Sequence, residues 1–168
     1  MVNVKSLLAG IALLLVAGAP AQSCRLPADA DRLAHEVVQR INAERRGVGL
    51  HPLRKSPMLS RGAQMHACDN AAHNRLSHTG TDGSSPGDRV LRVGYGFAFV
   101  SENVAMGYLR PGRVVQAWLH STGHRRNIFE RRNHEIGVAV AVGRDGRRHW
   151  VMNGGMRRIE RHASRLTR

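Results

Sequence analysis

The chain turns at Ser121-Thr122-Gly123-His124-Arg125-Arg126-Asn127-Ile128, between a helix-like segment and an apolar strand. Gly123 loosens this turn and permits close backbone approach, and His124 follows it directly. Two earlier segments carry groups that could meet this histidine, Ser77-His78 and Ser101-Glu102-Asn103-Val104-Ala105. Two imidazoles and one carboxylate from three segments are the material of a metal site or an acid–base site. Whether they form one depends on how the segments around them fold.

The N-terminus, residues 1–21, has the three parts of a secretory signal peptide. Met1 to Lys5 carries one positive side chain, Leu7 to Gly18 is apolar, and Ala19-Pro20-Ala21 offers small residues for the peptidase. These small residues predict cleavage after Ala21. The alternative is a membrane anchor, but the apolar run is too short to span a bilayer comfortably. The sequence therefore predicts an exported protein, secreted or periplasmic, with no transmembrane segment in the mature chain.

Export changes how the two cysteines are interpreted. Cys24 and Cys68 both belong to the mature chain, and an oxidising compartment favours a disulfide between them. The alternative is a pair of free buried thiols. We expect the pair to fix an N-terminal tether, residues 22–29, to a single domain over residues 30–154. The basic segment 155–168 is then predicted to be a disordered tail.

Positive charge dominates the composition. The chain has 26 Lys and Arg against 12 Asp and Glu, for a net charge of +14. An anionic envelope polymer or an anionic lipid would be attracted to such a surface. Specific nucleic-acid binding is disfavoured, because aromatic residues are only 4% of the chain and none interleaves with a basic run.

The hydropathy pattern predicts an α+β fold. Helical periodicity starts at Asp29, with Asp29 or Asp31 as the cap, and three more helices begin at Ser56-Pro57, Ser85-Pro86 and Pro111. Strand-like alternation covers residues 97–106, 136–142 and 149–153. Gly137, Ala139 and Ala141 share one strand face, which indicates helices packed close against the sheet. We predict a three-layer α–β–α sandwich with a small antiparallel sheet between helices.

Glu102 is the most informative single residue. It shares a strand face with Val100, Val104 and Met106, and a carboxylate among apolar neighbours is costly unless it has a partner. A histidine is a natural partner, and either group would then have a shifted pKa. The alternative is an exposed glutamate at a sheet edge.

The other histidines give weaker signals. His120 and His124 are four residues apart, as in zinc-binding helices, but position 121 is Ser rather than the Glu of the metalloprotease pattern. We therefore reject a zincin site. His66 and His73 are interpreted as surface or core-edge residues.

Five ordered motifs resemble the CAP superfamily of cysteine-rich secretory proteins, antigen 5 and pathogenesis-related proteins, also called the SCP domain. They are Ser77-His78, Ser101-Glu102-Asn103-Val104-Ala105, Val115-x-x-Trp118, Gly123-His124-Arg125-x-Asn127-Ile128 and Glu135-Ile136-Gly137-Val138. The resemblance covers about residues 30–154, and the chain is most similar to the small bacterial secreted branch.

The resemblance implies a shallow cavity lined by His78, Glu102 and His124. Eukaryotic members carry a second cavity glutamate a few residues after the tryptophan, where this chain has Leu119-His120-Ser121. Glu135 could approach from its strand. The missing acid leaves a two-histidine site that suits weak divalent metal binding, with zinc on His78 and His124 as the candidate cofactor.

The sequence is compatible with three functions. The leading one is a secreted CAP-domain protein whose cavity binds a ligand or a divalent metal. The second is a metal-assisted hydrolase, a peptidase or esterase, with Glu102 as the candidate acid or base. The third is a module that binds an envelope polymer or anionic lipid through its basic surface.

Overall fold

A computed structural model describes residues 24–158. The predicted signal peptide and residues 159–168 of the predicted tail lie outside this range. The described elements, in chain order, are α1 (Ala30–Gly47), β1 (Arg54–Lys55), α2 (Pro57–Ala72), α3 (Pro86–Arg92), β2 (Phe97–Met106), α4 (Pro111–His120), α5 (Thr122–Phe129), β3 (Glu135–Val142) and β4 (Arg148–Arg157). None of these helices combines the length and the hydropathy that a membrane span requires.

The helices pack on both faces of a four-stranded sheet, which confirms the predicted α–β–α sandwich. The strand order is β1-β3-β4-β2. One face carries the larger core, in which α1 and α4 bury side chains such as Ile41 and Trp118 against Trp150 of β4. The other face is covered by α2, whose Ala63 and Ala67 pack on small residues of β3.

The sheet was predicted to be antiparallel, but one of its strand pairs is parallel. β1 pairs with β3 in parallel, with Arg54 opposite Glu135 and Lys55 opposite Ile136. A strand of two residues has no readable alternation, and the long connection between the two strands permits the parallel direction. β4 also continues to Arg157, so residues 155–157 of the expected tail pair with β2 instead.

The turn expected at Gly123 is displaced and is followed by a fifth helix. Ser121 alone is extended (φ −99°, ψ 121°), ending α4 and preceding α5. His124 therefore lies in the first turn of α5. A Cβ added at Gly123 would meet nothing within 4 Å, so close backbone approach does not require this glycine.

Asp29 occupies the N-cap position of α1, but its side chain makes no capping hydrogen bond, contrary to expectation. α2 and α3 are capped as their sequences predict. Ser56 accepts from the backbone N–H of Leu59, and Ser85 forms a reciprocal capping box with Asp88. The capping box fixes where α3 begins and so helps to position Arg89, which lies in this helix.

A disulfide joins Cys24 to Cys68, as predicted, and links the N-terminal tether to α2. The two cysteines are 44 residues apart in sequence. Closing a loop of this length stabilises the fold by about 4 kcal/mol through the lost entropy of the unfolded chain. The backbone N–H of Val142 also donates to Arg25 O at 2.8 Å, which joins the tether to the end of β3.

The close approach of α2 to β3 depends on Gly137. A Cβ at this position would lie 2.1 Å from Ser60 N and 2.2 Å from the carbonyl carbon of Leu59, both backbone atoms of α2. Backbone atoms cannot rotate away as a side chain can, so any larger residue must push the helix off the sheet.

We predict that Gly137→Ala lowers the free energy of unfolding by about 3 kcal/mol or more. Gly47→Ala is the matched control, because a Cβ there meets nothing within 4 Å. Urea denaturation of both variants measures the difference. Equal effects of the two substitutions would contradict the packing described for α2 and β3.

Candidate functional site

The Glu102 carboxylate is the centre of the candidate site. The residue lies in β2 and is only 5% exposed. Its Oε2 accepts from Arg89 Nη2 at 2.7 Å, and its Oε1 accepts from His78 Nδ1 at 2.9 Å. Both oxygens are therefore engaged by protein donors. A buried carboxylate needs such partners, since an unpaired one would cost several kcal/mol.

Arg89, which the sequence reasoning missed, holds two parts of the site together. It lies in α3 and is 2% exposed. The Nη2 that bonds Glu102 also donates to His78 O at 3.0 Å, and Nη1 donates to Ser84 O at 2.7 Å. One guanidinium thus fixes both the carboxylate and the backbone of the histidine that bonds it. The buried carboxylate of Glu102 needs a cationic partner, but the sequence of α3 did not indicate that Arg89 is that partner.

His66 is also part of this cluster, and its interpretation as a surface or core-edge residue was wrong. It is fully buried, because the 77–85 loop and α3 cover the side of α2 on which it lies. His66 Nε2 donates to Ser77 O at 2.6 Å, and Asn70 Nδ2 donates to the same oxygen at 3.0 Å. These two side chains position the peptide that precedes His78.

Burial lowers the pKa of His66, and the nearby charge of Glu102 partly opposes this effect. The distance from His66 Nε2 to Glu102 Oε1 is 3.8 Å. Because Nε2 carries the proton that bonds Ser77 O, the uncharged ring leaves Nδ1 as a bare acceptor, and Nδ1 has no partner among the described residues. His66 therefore serves the site as a neutral donor from α2.

His78 presents its outer nitrogen to solvent. Its side chain is 52% exposed. A carboxylate only accepts hydrogen bonds, so the contact with Glu102 requires the proton on Nδ1. In the neutral ring Nε2 then carries a free lone pair. This arrangement, in which a carboxylate orients a histidine, is typical of histidines that bind metals.

Two asparagines fix the helix that carries His124. Asn103 Nδ2 donates to His124 O at 3.0 Å. Asn127 Nδ2 donates to Glu102 O and to Asn103 Oδ1, each at 2.9 Å. These bonds join the first turns of α5 to the outer edge of β2, next to Glu102. The paired motifs Glu102-Asn103 and His124-x-x-Asn127 therefore meet in space through their asparagines.

The pKa of His124 is shifted from its usual value. Burial is the main reason that the pKa of His124 is lowered, and the charge of His78 lowers it further. A lowered pKa favours the neutral form of the His124 ring, which offers a lone pair.

A complete metal cage is not present in the described part of the chain. No three His, Cys, Asp or Glu side chains converge as a metal would require within residues 24–158. Both oxygens of Glu102 already accept from Arg89 and His78. The Glu135 carboxylate lies 3.3 Å from Arg54 and 3.3 Å from Arg157. Neither carboxylate is therefore free to join His78 and His124 in holding a metal.

The Arg89–Glu102 pair should behave as a coupled unit. We predict that Arg89→Met and Glu102→Gln each lower the free energy of unfolding by about 3–5 kcal/mol, since each leaves a buried charge unpaired. The loss of unfolding free energy in the double variant should be smaller than the sum of the two single losses, by at least about 2 kcal/mol.

The exposed pair Arg92–Asp82 provides a matched control, because Arg92 lies in the same helix and both side chains are about half exposed. The coupling energy between these two residues, from a cycle of Arg92→Met, Asp82→Asn and the double variant, should stay below about 1 kcal/mol. Chemical denaturation of both cycles gives the two coupling energies. Additive effects at Arg89 and Glu102 would show that the buried pair does not act as a unit.

Comparisons with known proteins agree with this fold. The uncharacterized protein YkwD of Bacillus subtilis is 35% identical over 112 residues, which is 67% of this chain and 44% of that protein. A second relative, the uncharacterized membrane protein YlbC of Bacillus subtilis, is 31% identical over 75 residues, 45% of this chain and 22% of that protein. The chain thus spans less than half the length of these curated relatives.

Two solved structures share the architecture. An outer surface protein of Borrelia burgdorferi superposes with a TM-score of 0.73 at 22% identity, covering 81% of this chain and 100% of that chain. An extracellular SCP-domain protein of Bacillus anthracis gives a TM-score of 0.70 at 24% identity, covering 80% and 45%. Residues 38–153 match the cysteine-rich secretory protein family, CAP. The chain therefore belongs to the CAP family.

Proposed function

We propose that this chain is an exported CAP-domain protein whose cavity binds a ligand or a divalent metal through His78 and His124. One observation carries the proposal. Glu102 and Arg89 hold His78 by its ring Nδ1 and by its main-chain oxygen, at 2.9 and 3.0 Å, so that Nε2 is left for a ligand. Protein histidines that bind metals commonly have their other nitrogen fixed in this way.

The role of Glu102 in this proposal is to position His78. Both of its oxygens already accept hydrogen bonds from protein donors, and the side chain is 1% exposed. A general base must reach the proton that it removes, and a buried carboxylate clamped by arginine does so poorly. This arrangement favours binding over the metal-assisted hydrolase, in which Glu102 would act as acid or base.

Zinc is the cation that best suits two neutral imidazoles. When bound, it would supply a Lewis acid that could hold an anionic or carbonyl oxygen of a ligand. Two protein ligands are one fewer than catalytic zinc sites usually have. We therefore expect weak, reversible binding in which water or ligand oxygens complete the coordination.

Export is the second part of the proposal. The Cys24–Cys68 disulfide supports it, because such bonds persist in oxidising compartments. Two structural relatives are described as an outer surface protein and an extracellular protein. The N-terminal segment 1–21 would direct the export, to the periplasm or to the medium.

We predict that zinc raises the melting temperature of the wild-type chain and that a chelator reverses the shift. Binding to the folded state alone stabilises it by mass action. The His78→Ala/His124→Ala variant should lose the shift, because it lacks both imidazoles. Differential scanning fluorimetry, with calorimetric titration of zinc, provides the measurement.

The matched control is His35→Ala/His120→Ala, which removes two exposed histidines on other helices. Its zinc response should equal that of the wild type. The metal proposal fails if the wild type does not respond, or if the response survives loss of both cavity histidines. A peptide or ester library tests the hydrolase alternative, which requires turnover that Glu102→Gln abolishes under conditions in which this destabilised variant is still folded.

A further inference from the structure

A cleft at the end of α1, whose lining includes neither His78 nor His124, is lined by basic side chains. It has a volume of about 490 Å³ and lies between the end of α1, the segment 49–54 and the segment 131–134 that precedes β3. Its charged or titratable lining residues are Arg45, His51, Arg54, Arg131 and His134. We call it the arginine cleft. Among residues 24–158, no acidic side chain lines it.

Arg45 lines the arginine cleft and is an unusual residue. It is 2% exposed, yet within residues 24–158 no carboxylate lies within ion-pair distance of it. Its Nε donates to His51 O at 2.9 Å, and its Nη1 donates to Ile128 O at 2.7 Å and to Glu130 O at 3.1 Å. These acceptors are all main-chain carbonyls. Burial lowers the pKa of Arg45, while the charge of Glu130 partly opposes this effect.

Two nearby acids, Glu130 and Glu135, pair with arginines other than Arg45. The Glu130 carboxylate accepts from Arg132 Nε at 3.0 Å and from Arg132 Nη2 at 2.9 Å. The Glu135 carboxylate lies 3.3 Å from Arg54 and 3.3 Å from Arg157, so Arg54 shares its acid with a second cation. Arg131 has no ion-pair partner in the described part of the chain. Positive charge in the cleft is therefore only partly compensated.

A purely structural role explains part of this geometry. The three hydrogen bonds of Arg45 join the end of α1 to the end of α5, which stabilises the fold. They leave Nη2 without a protein acceptor among the described residues. They also do not explain why Arg131, His51 and His134, all exposed, converge on the same concave surface. A guanidinium held in place by its other nitrogens is preorganised for an oxyanion.

We propose that the arginine cleft binds an oxyanion, a phosphate or a carboxylate, with Arg45 and Arg131 as its main donors. A concave site with a fixed buried charge binds such groups better than scattered surface arginines, which stay hydrated. The group could belong to a phosphate-bearing or to a carboxylate-bearing ligand. This proposal is independent of ligand or metal binding by His78 and His124.

The test is an NMR titration with inorganic phosphate, and separately with acetate, at constant ionic strength. The ring resonances of His51 and His134 report on the cleft directly. We expect saturable shifts of these rings with at least one of the two anions. Arg131→Gln should weaken that binding at least tenfold without unfolding the protein, because Arg131 is exposed.

Two controls separate this site from other effects. Arg113→Gln removes an exposed arginine of α4 outside the cleft and should leave the affinity unchanged. His78→Ala/His124→Ala should also bind as the wild type does, so that failure of the metal proposal leaves this one standing.

Saturation by phosphate alone identifies a phosphate-type ligand, and saturation by acetate alone a carboxylate-type ligand. The proposal is overturned if neither anion saturates, or if Arg113→Gln weakens binding as much as Arg131→Gln.

Discussion

A single buried ion pair, between Arg89 and Glu102, joins the elements that form the site. The distance between Nη2 and Oε2 is 2.7 Å, and both side chains are almost completely buried. Such a pair depends on further hydrogen bonds to its remaining groups, and all of them except Arg89 Nε have a partner among the described residues. His78 uses the other carboxylate oxygen, while Ser84 O and His78 O accept from the guanidinium. The ion pair and its hydrogen bonds therefore fix α3, β2 and the loop between α2 and α3 relative to one another.

The edge of the sheet provides the second constraint. β2 is an edge strand, and an exposed edge would leave its outer carbonyls unpaired. Asn127 covers Glu102 O, and Trp118 Nε1 donates to Val104 O at 3.1 Å. The helix that protects the edge through Asn127 is thus the one that carries His124, whose main-chain oxygen accepts from Asn103. Protection of the sheet edge and placement of His124 therefore depend on the same helix.

Local sequence patterns predicted the parts of the fold that are locally determined. Helical periodicity gave α1, and the Gly137 face indicated the close packing of α2, because both signals reside in consecutive residues. Glu102 was identified from a similar local signal, because burying a carboxylate among the apolar residues of its strand face is energetically unfavourable without a partner. Arg89 and His66 were missed because only tertiary packing turns them toward that carboxylate.

Two other errors have physical causes of the same kind. Gly123 suggested a turn, but one extended residue at Ser121 redirects the chain, and α5 then begins with glycine in its first turn. β1 was not predicted, because two residues cannot show a strand period. A glycine therefore marks a change of direction without giving the structure that follows.

The central claim is that Glu102 holds His78 with its proton on Nδ1, so that Nε2 is free to bind. Nitrogen-15 NMR of the His78 ring, in the neutral form at mildly alkaline pH, measures this most directly. The structure predicts a protonated Nδ1 and an unprotonated Nε2, the reverse of the tautomer that free histidine prefers in water. A ring protonated on Nε2 would contradict the bond to Glu102 and the binding role derived from it.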